Sequence, residues 1–249
     1  MSGHSKWSTI KRKKGKADAE RGRIFTRLIR EITVAARDGG GDPSANPRLR
    51  TAMDAAKQNN MPAANVDRAI KKGTGELPGV TYEEVVYEGY AASGVAMLIE
   101  AVTDNRNRTT AEVRHILTKF GGRMAEVGSV AWQFDQKGMI VVEKKGVAED
   151  DLMMVALDAG ANDVSDEGDS WEITTDPHDL HHVNEALKGA GITAESAELT
   201  RLPKTTVALD KATAGKVLRL VDMLEENDDV QQVSANFDIS DKILEELSS

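Results

Sequence analysis

The sequence predicts an α+β protein: a small all-helical domain, then an α/β domain interrupted by a second, ferredoxin-like α/β domain. Three observations carry this reading. Apolar residues recur at helical spacing as far as residue 73 and alternate beyond it. The breaker cluster Gly73-Thr74-Gly75-Glu76-Leu77-Pro78-Gly79 separates the two regimes. A closed strand-helix-strand-strand-helix-strand order over residues 139–199 leaves flanking elements that have no sheet of their own, and these complete the half begun at Tyr82.

In order along the chain, Ile24, Phe25, Leu28, Ile29, Ile32, Ala35 and Ala36 mark one helix face, which Gly39-Gly40-Gly41 ends because a helix cap favours a left-handed residue. Arg23, Arg27, Arg30 and Arg37 fall on its outer face. Asn46 reads as an N-cap with Pro47 at the first helical position, followed by the stripe Leu49, Ala52, Met53 and Ala56, with Arg48, Arg50 and Lys57 outward. Met61-Pro62 opens a third helix with Val66, Ala69 and Ile70 inward and Arg68, Lys71 and Lys72 outward. Tyr82 to Tyr90 and Val95 to Val102 predict an antiparallel pair. Thr109 and Glu112 read as a capping box for a helix that buries Val113, Ile116, Leu117 and Phe120, and Ser129 to Phe134 as a strand.

The inserted domain runs strand (Met139 to Val142), helix (Asp150 to Ala159), strands at 163–165 and 170–174, helix (Leu180 to Lys188) and strand (Ile192 to Leu199). Thr205 to Leu209, a helix carrying Val217, Leu218, Leu220, Val221 and Leu224, and a strand at Val230 to Val233 return the chain to the interrupted domain. The expected domains are residues 1–76, residues 79–134 joined with 204–249, and residues 135–203.

Charge is divided along the chain. Residues 1–78 carry 17 Lys+Arg against 8 Asp+Glu, whereas residues 79–249 carry 15 against 33, so the net −9 hides two parts suited to different partners. The chain has no Cys, which excludes disulfides and thiolate metal sites. Its longest apolar run, Val95 to Val102 broken by Glu100, is too short for a bilayer, and a cytoplasmic protein without a membrane partner is the expectation.

The densest signal is at the start. Lys6, Lys11, Arg12, Lys13, Lys14 and Lys16 precede the first carboxylate at Asp18, with only Trp7 and Ile10 as large apolar residues among them. Such a segment reads as a basic arm that neutralises phosphates, and Trp7 as an aromatic that stacks on an unpaired base or docks on the stripe of Ile24, Leu28 and Ile32. A second basic cluster, Arg106, Arg108, Arg114, Lys119 and Arg123, lies at and beyond a helix start, where free amides favour anions; the alternative for Arg106 and Arg108 is bonding to nearby carbonyls and to Glu100. The expected nucleic-acid contacts are therefore Lys6, Trp7, Lys11, Arg12, Lys13, Lys14, Lys16, Arg23, Arg27, Arg48, Arg50, Arg106 and Arg108.

Asp176, His178, His181 and His182 are the best metal candidate, since the three histidines share a helix face, but no carboxylate follows at metalloprotease spacing and Asp176-Pro177 reads as a helix start. Solvent-facing histidines are the expectation, with no metal and no cofactor. Asp166, Glu167 and Asp169 around Gly168 are hairpin-turn chemistry. The glycine runs follow helices, the wrong context for cradling phosphate, and no small-molecule substrate is indicated.

The sequence also resembles the YebC/PmpR family, which includes the mitochondrial translational activator of cytochrome oxidase subunit I. The residues are Gly3-His4-Ser5-Lys6-Trp7, Arg23-Ile24-Phe25-Thr26, Gly39-Gly40-Gly41-Asp42-Pro43, Asn46-Pro47-Arg48-Leu49-Arg50, Asn59-Asn60-Met61-Pro62, Tyr87-Glu88-Gly89-Tyr90 and Asp104-Asn105-Arg106-Asn107-Arg108-Thr109. Weaker similarity continues through Leu220-Val221-Asp222-Met223-Leu224-Glu225. The resemblance implies a helical N-terminal domain, two ferredoxin-like α/β domains and no enzymatic activity. It further implies a DNA-binding transcriptional regulator or, alternatively, a ribosome-associated factor that helps translation of proline-rich stretches through ribosomal or transfer RNA. A helix-turn-helix is not indicated, because the turn after Ala36 is a long Gly-Asp-Pro loop.

Overall fold

The structure is a computed structural model that describes Trp7 and residues 18–248. It divides into two compact units, Met1–Phe134 with Pro203–Ser249 and Asp135–Leu202.

The first unit opens with three helices, α1 (Asp18–Gly39), α2 (Pro47–Gln58) and α3 (Ala63–Gly73). Ile32, Ala35, Leu49, Ala56, Val66 and Ala69 form their common core, to which Phe25 and Leu28 add partly buried rings and methyls. The expected glycine stop is present: Gly40 takes φ 83°, a left-handed value that a side chain resists. Gly73 has a different reason, since a Cβ there would lie 2.3 Å from the Thr33 carbonyl oxygen.

Asn46 does more than cap α2. Its side-chain oxygen accepts the Leu49 N–H at 3.1 Å, while its amide donates to the Ala35 carbonyl at 2.7 Å and the Gly40 carbonyl at 2.8 Å. It thus ties the end of α1 to the start of α2 from a buried position. Asn46→Ala is expected to cost about 2–4 kcal/mol, a lost cap plus two stranded carbonyls, readable as a lower urea midpoint with unchanged m-value.

The α/β part begins with β1 (Glu83–Tyr90), β2 (Ala96–Thr103), α4 (Arg106–Lys119) and β3 (Arg123–Met124). The chain then builds the second unit from β4 (Phe134–Glu143), α5 (Glu149–Asp158), β5 (Ala161–Asp166), β6 (Ser170–Thr175), α6 (Leu180–Gly189) and β7 (Ala194–Pro203). It returns through β8 (Val207–Ala208), α7 (Lys211–Glu225), β9 (Val230–Ala235), β10 (Phe237–Asp238) and α8 (Asp241–Ser248).

The sheet of the first unit has the order β3-β1-β2-β9, all pairs antiparallel, with Val85 opposite Ala101 and Tyr87 opposite Ile99. That register turns Val85, Tyr87, Met97 and Ile99 toward Val113 and Leu117 of α4 and Val217, Val221 and Leu224 of α7 in one core. Ala96 and Leu98 point the other way, onto Val130 and Phe134. The second unit has the order β5-β6-β4-β7, the ferredoxin-like arrangement of a β-α-β-β-α-β chain, closed over Ile140, Val142, Leu152, Trp171, Ile173, Val183 and Leu187. The fold is thus α+β, with a helical N-terminal region followed by α/β domains built on antiparallel sheets.

Three local expectations change. Helix α4 starts earlier, because Asn105 accepts the Arg108 N–H at 3.1 Å and acts as the cap, while the Thr109 hydroxyl turns inward to Asp229 at 2.6 Å. Ser129 to Phe134 does not form a strand, since the backbone donors of Gly128, Val130 and Ala131 are taken by the Glu88 carboxylate; only Phe134 enters β4. Helix α6 starts at Leu180, as its apolar period places it, but the cap position is held by Asp179 and not by Asp176.

Candidate nucleic-acid interface

The outer-face arginines of the helical region are largely engaged inside the first unit. Arg27 Nη2 donates to the Glu225 carbonyl at the end of α7, and Arg37 Nη1 to the Tyr82 carbonyl ahead of β1. Arg48 forks between Glu31 (2.7 Å) and Glu84 (2.6 Å); burial works against its charge, but the two carboxylates outweigh burial and raise its pKa above the ordinary value. Arg50 donates to the Pro43 carbonyl at 2.9 Å. These contacts join the helices to each other and to the α/β part.

The centre of this stitching is Asp229, 3% exposed just ahead of β9. Its Oδ1 accepts from Arg30 Nη1 at 2.6 Å. Its Oδ2 accepts from Arg108 Nη2 at 2.7 Å, Thr109 at 2.6 Å and Thr103 at 3.1 Å. Arg30 also reaches the Asp228 carbonyl at 2.6 Å, and Arg108 reaches Asp104 at 2.8 Å. Burial pushes the Asp229 carboxyl up, but hydrogen bonds from Arg108, Thr109 and Arg30 prevail and hold it below the usual carboxylate range. Arg108 is therefore a structural ligand of Asp229. Its sequence neighbour Arg106 is exposed and has no ion pair among the described residues.

Trp7 is half-buried against the core of the α/β part, its indole N–H 3.3 Å from Asp222 Oδ1 of α7. It docks on that core and not on the stripe of Ile24, Leu28 and Ile32. Lys6, Lys11, Arg12, Lys13, Lys14 and Lys16 lie outside the described residues. Arg23 is half-buried on α1. Among the described residues of the helical region, Arg21, Arg37, Lys57, Arg68, Lys71 and Lys72 are exposed, and Arg37 is paired with Asp38 at 2.7 Å, which leaves Arg21, Lys57, Arg68, Lys71 and Lys72. The last three stand at i, i+3 and i+4 and share one face of α3.

A feature that sequence reasoning missed is the loop between β3 and β4. Glu88, 5% exposed, accepts the Gly128 N–H at 2.6 Å, the Ala131 N–H at 2.9 Å and the Val130 N–H. Burial raises its pKa, but the three donors overcome burial and bring it below the ordinary value. Val130 and Phe134 anchor the loop from below. Held in this way, the loop exposes Val127 at 91% and Trp132 at 67%. The available signal was Glu88 itself, the one carboxylate within the strand run Val85 to Tyr90.

His178 and His182 are exposed and His181 half-buried, and among the described residues no group of three or more His, Cys, Asp or Glu could hold a metal ion. No helix among the described residues is long and apolar enough to cross a membrane.

Comparison with known proteins decides the family. The TACO1/YebC N-terminal domain matches residues 5–76, and the TACO1/YebC second and third domain matches residues 82–237. The chain belongs to the TACO1/YebC family. This YebC-family chain is 59% identical, over 99% of its length and 100% of the relative, to a probable transcriptional regulatory protein of Geobacter sulfurreducens. It is 59% identical to one of Pelotomaculum thermopropionicum, covering 97% of this chain and 100% of that one. A crystal structure of a conserved hypothetical protein from Aquifex aeolicus matches with a TM-score of 0.85 and 52% identity over 92% of this chain and 95% of that one.

Proposed function

We propose that this YebC-family protein is a non-enzymatic regulator of gene expression that binds nucleic acid through its basic arm and the exposed cations of the helical region. The partition of charge carries the reading. Residues 1–78 hold 17 Lys+Arg against 8 Asp+Glu, and phosphate is drawn to this part and repelled by the remainder. Lys6, Lys11, Arg12, Lys13, Lys14 and Lys16 supply the arm, and Arg68, Lys71, Lys72 and Lys57 a second bank. Arg23 and Arg106 are the further contacts, because Arg27, Arg48, Arg50 and Arg108 already hold carboxylates or carbonyls. Regulation of transcription is what the relatives' names support, and DNA is the target that this version takes.

A second version, in which the target is ribosomal or transfer RNA and the process is translation, is favoured by Trp132. An aromatic ring held out on a fixed loop can stack on an unpaired base for about 1–3 kcal/mol, whereas a regular duplex offers it nothing. Titrations of the full-length protein against duplex DNA and a structured RNA, with Trp132→Ala alongside, separate the two. A loss of about tenfold on RNA alone supports the translational version. Strong duplex binding indifferent to Trp132→Ala supports transcription. Affinity for both polymers no greater than for a polyglutamate of equal charge would overturn both versions.

A further inference from the structure

The second unit is the most acidic part of the chain, with 5 Lys+Arg against 16 Asp+Glu in residues 135–202, a net of −11. It repels nucleic acid and anionic lipid alike. Its helix α5 turns Leu152 and Ala156 into the core, and on the opposite side it exposes Met154 at 59% and Leu157 at 46%. Spaced i to i+3, the two side chains adjoin. Glu149, Asp150 and Asp151 precede them and Asp158 follows; all four are exposed, and none is in an ion pair among the described residues.

Stability of the fold explains only part of this face. The three first-turn carboxylates complement the free amides of the helix start. Asp158 stands at the other end, where the helix dipole disfavours an anion and no cation accompanies it. Neither Met154 nor Leu157 belongs to the core of the unit. A pair of large apolar side chains bracketed by carboxylates has the composition of a recognition surface for a cationic amphipathic segment, and the flexible thioether of Met154 suits it to such packing.

We propose that the outer face of α5 docks a Lys/Arg-rich amphipathic segment of a protein partner. Met154 and Leu157 take its apolar side chains, and Asp150, Asp151 and Asp158 its cations. This docking is independent of nucleic-acid binding.

The experiment titrates the full-length protein with a labelled synthetic helix carrying Lys on one face and Leu on the other, and compares wild type with a Met154→Asp, Leu157→Asp double variant. The variant adds two carboxylates. Diffuse charge attraction would therefore tighten binding, whereas docking on the apolar pair predicts that it weakens by about tenfold or more. Because both side chains are exposed, the melting temperature should not move, and a Met154→Ala, Leu157→Ala variant should weaken binding in the same direction. A photocrosslinker at position 154 in cells should yield a nuclease-resistant adduct with a protein, the adducted segment being Lys/Arg-rich. Unchanged or tighter peptide binding by the double variant, a nuclease-sensitive adduct, or an adduct only with a second copy of this chain would each overturn the proposal.

Discussion

Asp229→Ala is expected to destabilise the protein by about 3–5 kcal/mol, because it removes one partner of a buried ion network and leaves the other stranded. The stranded partner is Arg30, whose side chain is 12% exposed and whose Nη1 holds Asp229 at 2.6 Å. Two buried threonine hydroxyls, Thr103 and Thr109, lose the same acceptor. The loss should appear as a lower urea midpoint. It should bring early melting of the contact between the helical region and the α/β part, visible as hydrogen exchange at residues 27–37 and 102–109. A shift under about 1 kcal/mol would mean that the network is a solvated surface pair.

The same site sets a pH dependence. Because the folded Asp229 carboxyl is held below its unfolded value, its stabilisation is complete at neutral pH and is lost as pH falls through the folded value. Glu88 adds a second contribution of the same sign. Acid unfolding of Asp229→Asn should therefore be shallower than that of wild type, since one of the linked protons has been removed.

The second large effect concerns the arm. Replacing Lys11, Arg12, Lys13, Lys14 and Lys16 with Gln is expected to reduce the slope of log affinity against log salt by about 4.5 on duplex DNA, or about 3.5 on single strands. Trp7 is left in place because it packs on the α/β core, so deleting the whole segment would mix a stability change with an affinity change. The melting temperature of the five-residue variant should stay within a few degrees of wild type. Salt dependence identical to wild type would show that phosphate is held elsewhere, and Arg68, Lys71 and Lys72 on α3 would be the next residues to neutralise.

The apolar periods, the glycine stop at 39–41, the Asn46-Pro47 helix start and the closed order of the inserted domain were all legible in the sequence, because each depends on neighbours within a few residues. The division of charge between the two ends of the chain was legible too, being independent of fold. The sequence could not tell which cations were available. Arg27, Arg37, Arg48 and Arg108 look as free as Arg68 or Arg106 in one dimension, yet their partners Glu225, Tyr82, Glu84 and Asp229 lie 36 to 198 positions away. Likewise Trp7 meets Asp222 across 215 positions, and Glu88 captures a loop that begins 40 residues later. A guanidinium, an indole or a carboxylate reaches only a few ångströms, so whether it faces a ligand or the protein itself is decided by which distant backbone the fold brings beside it.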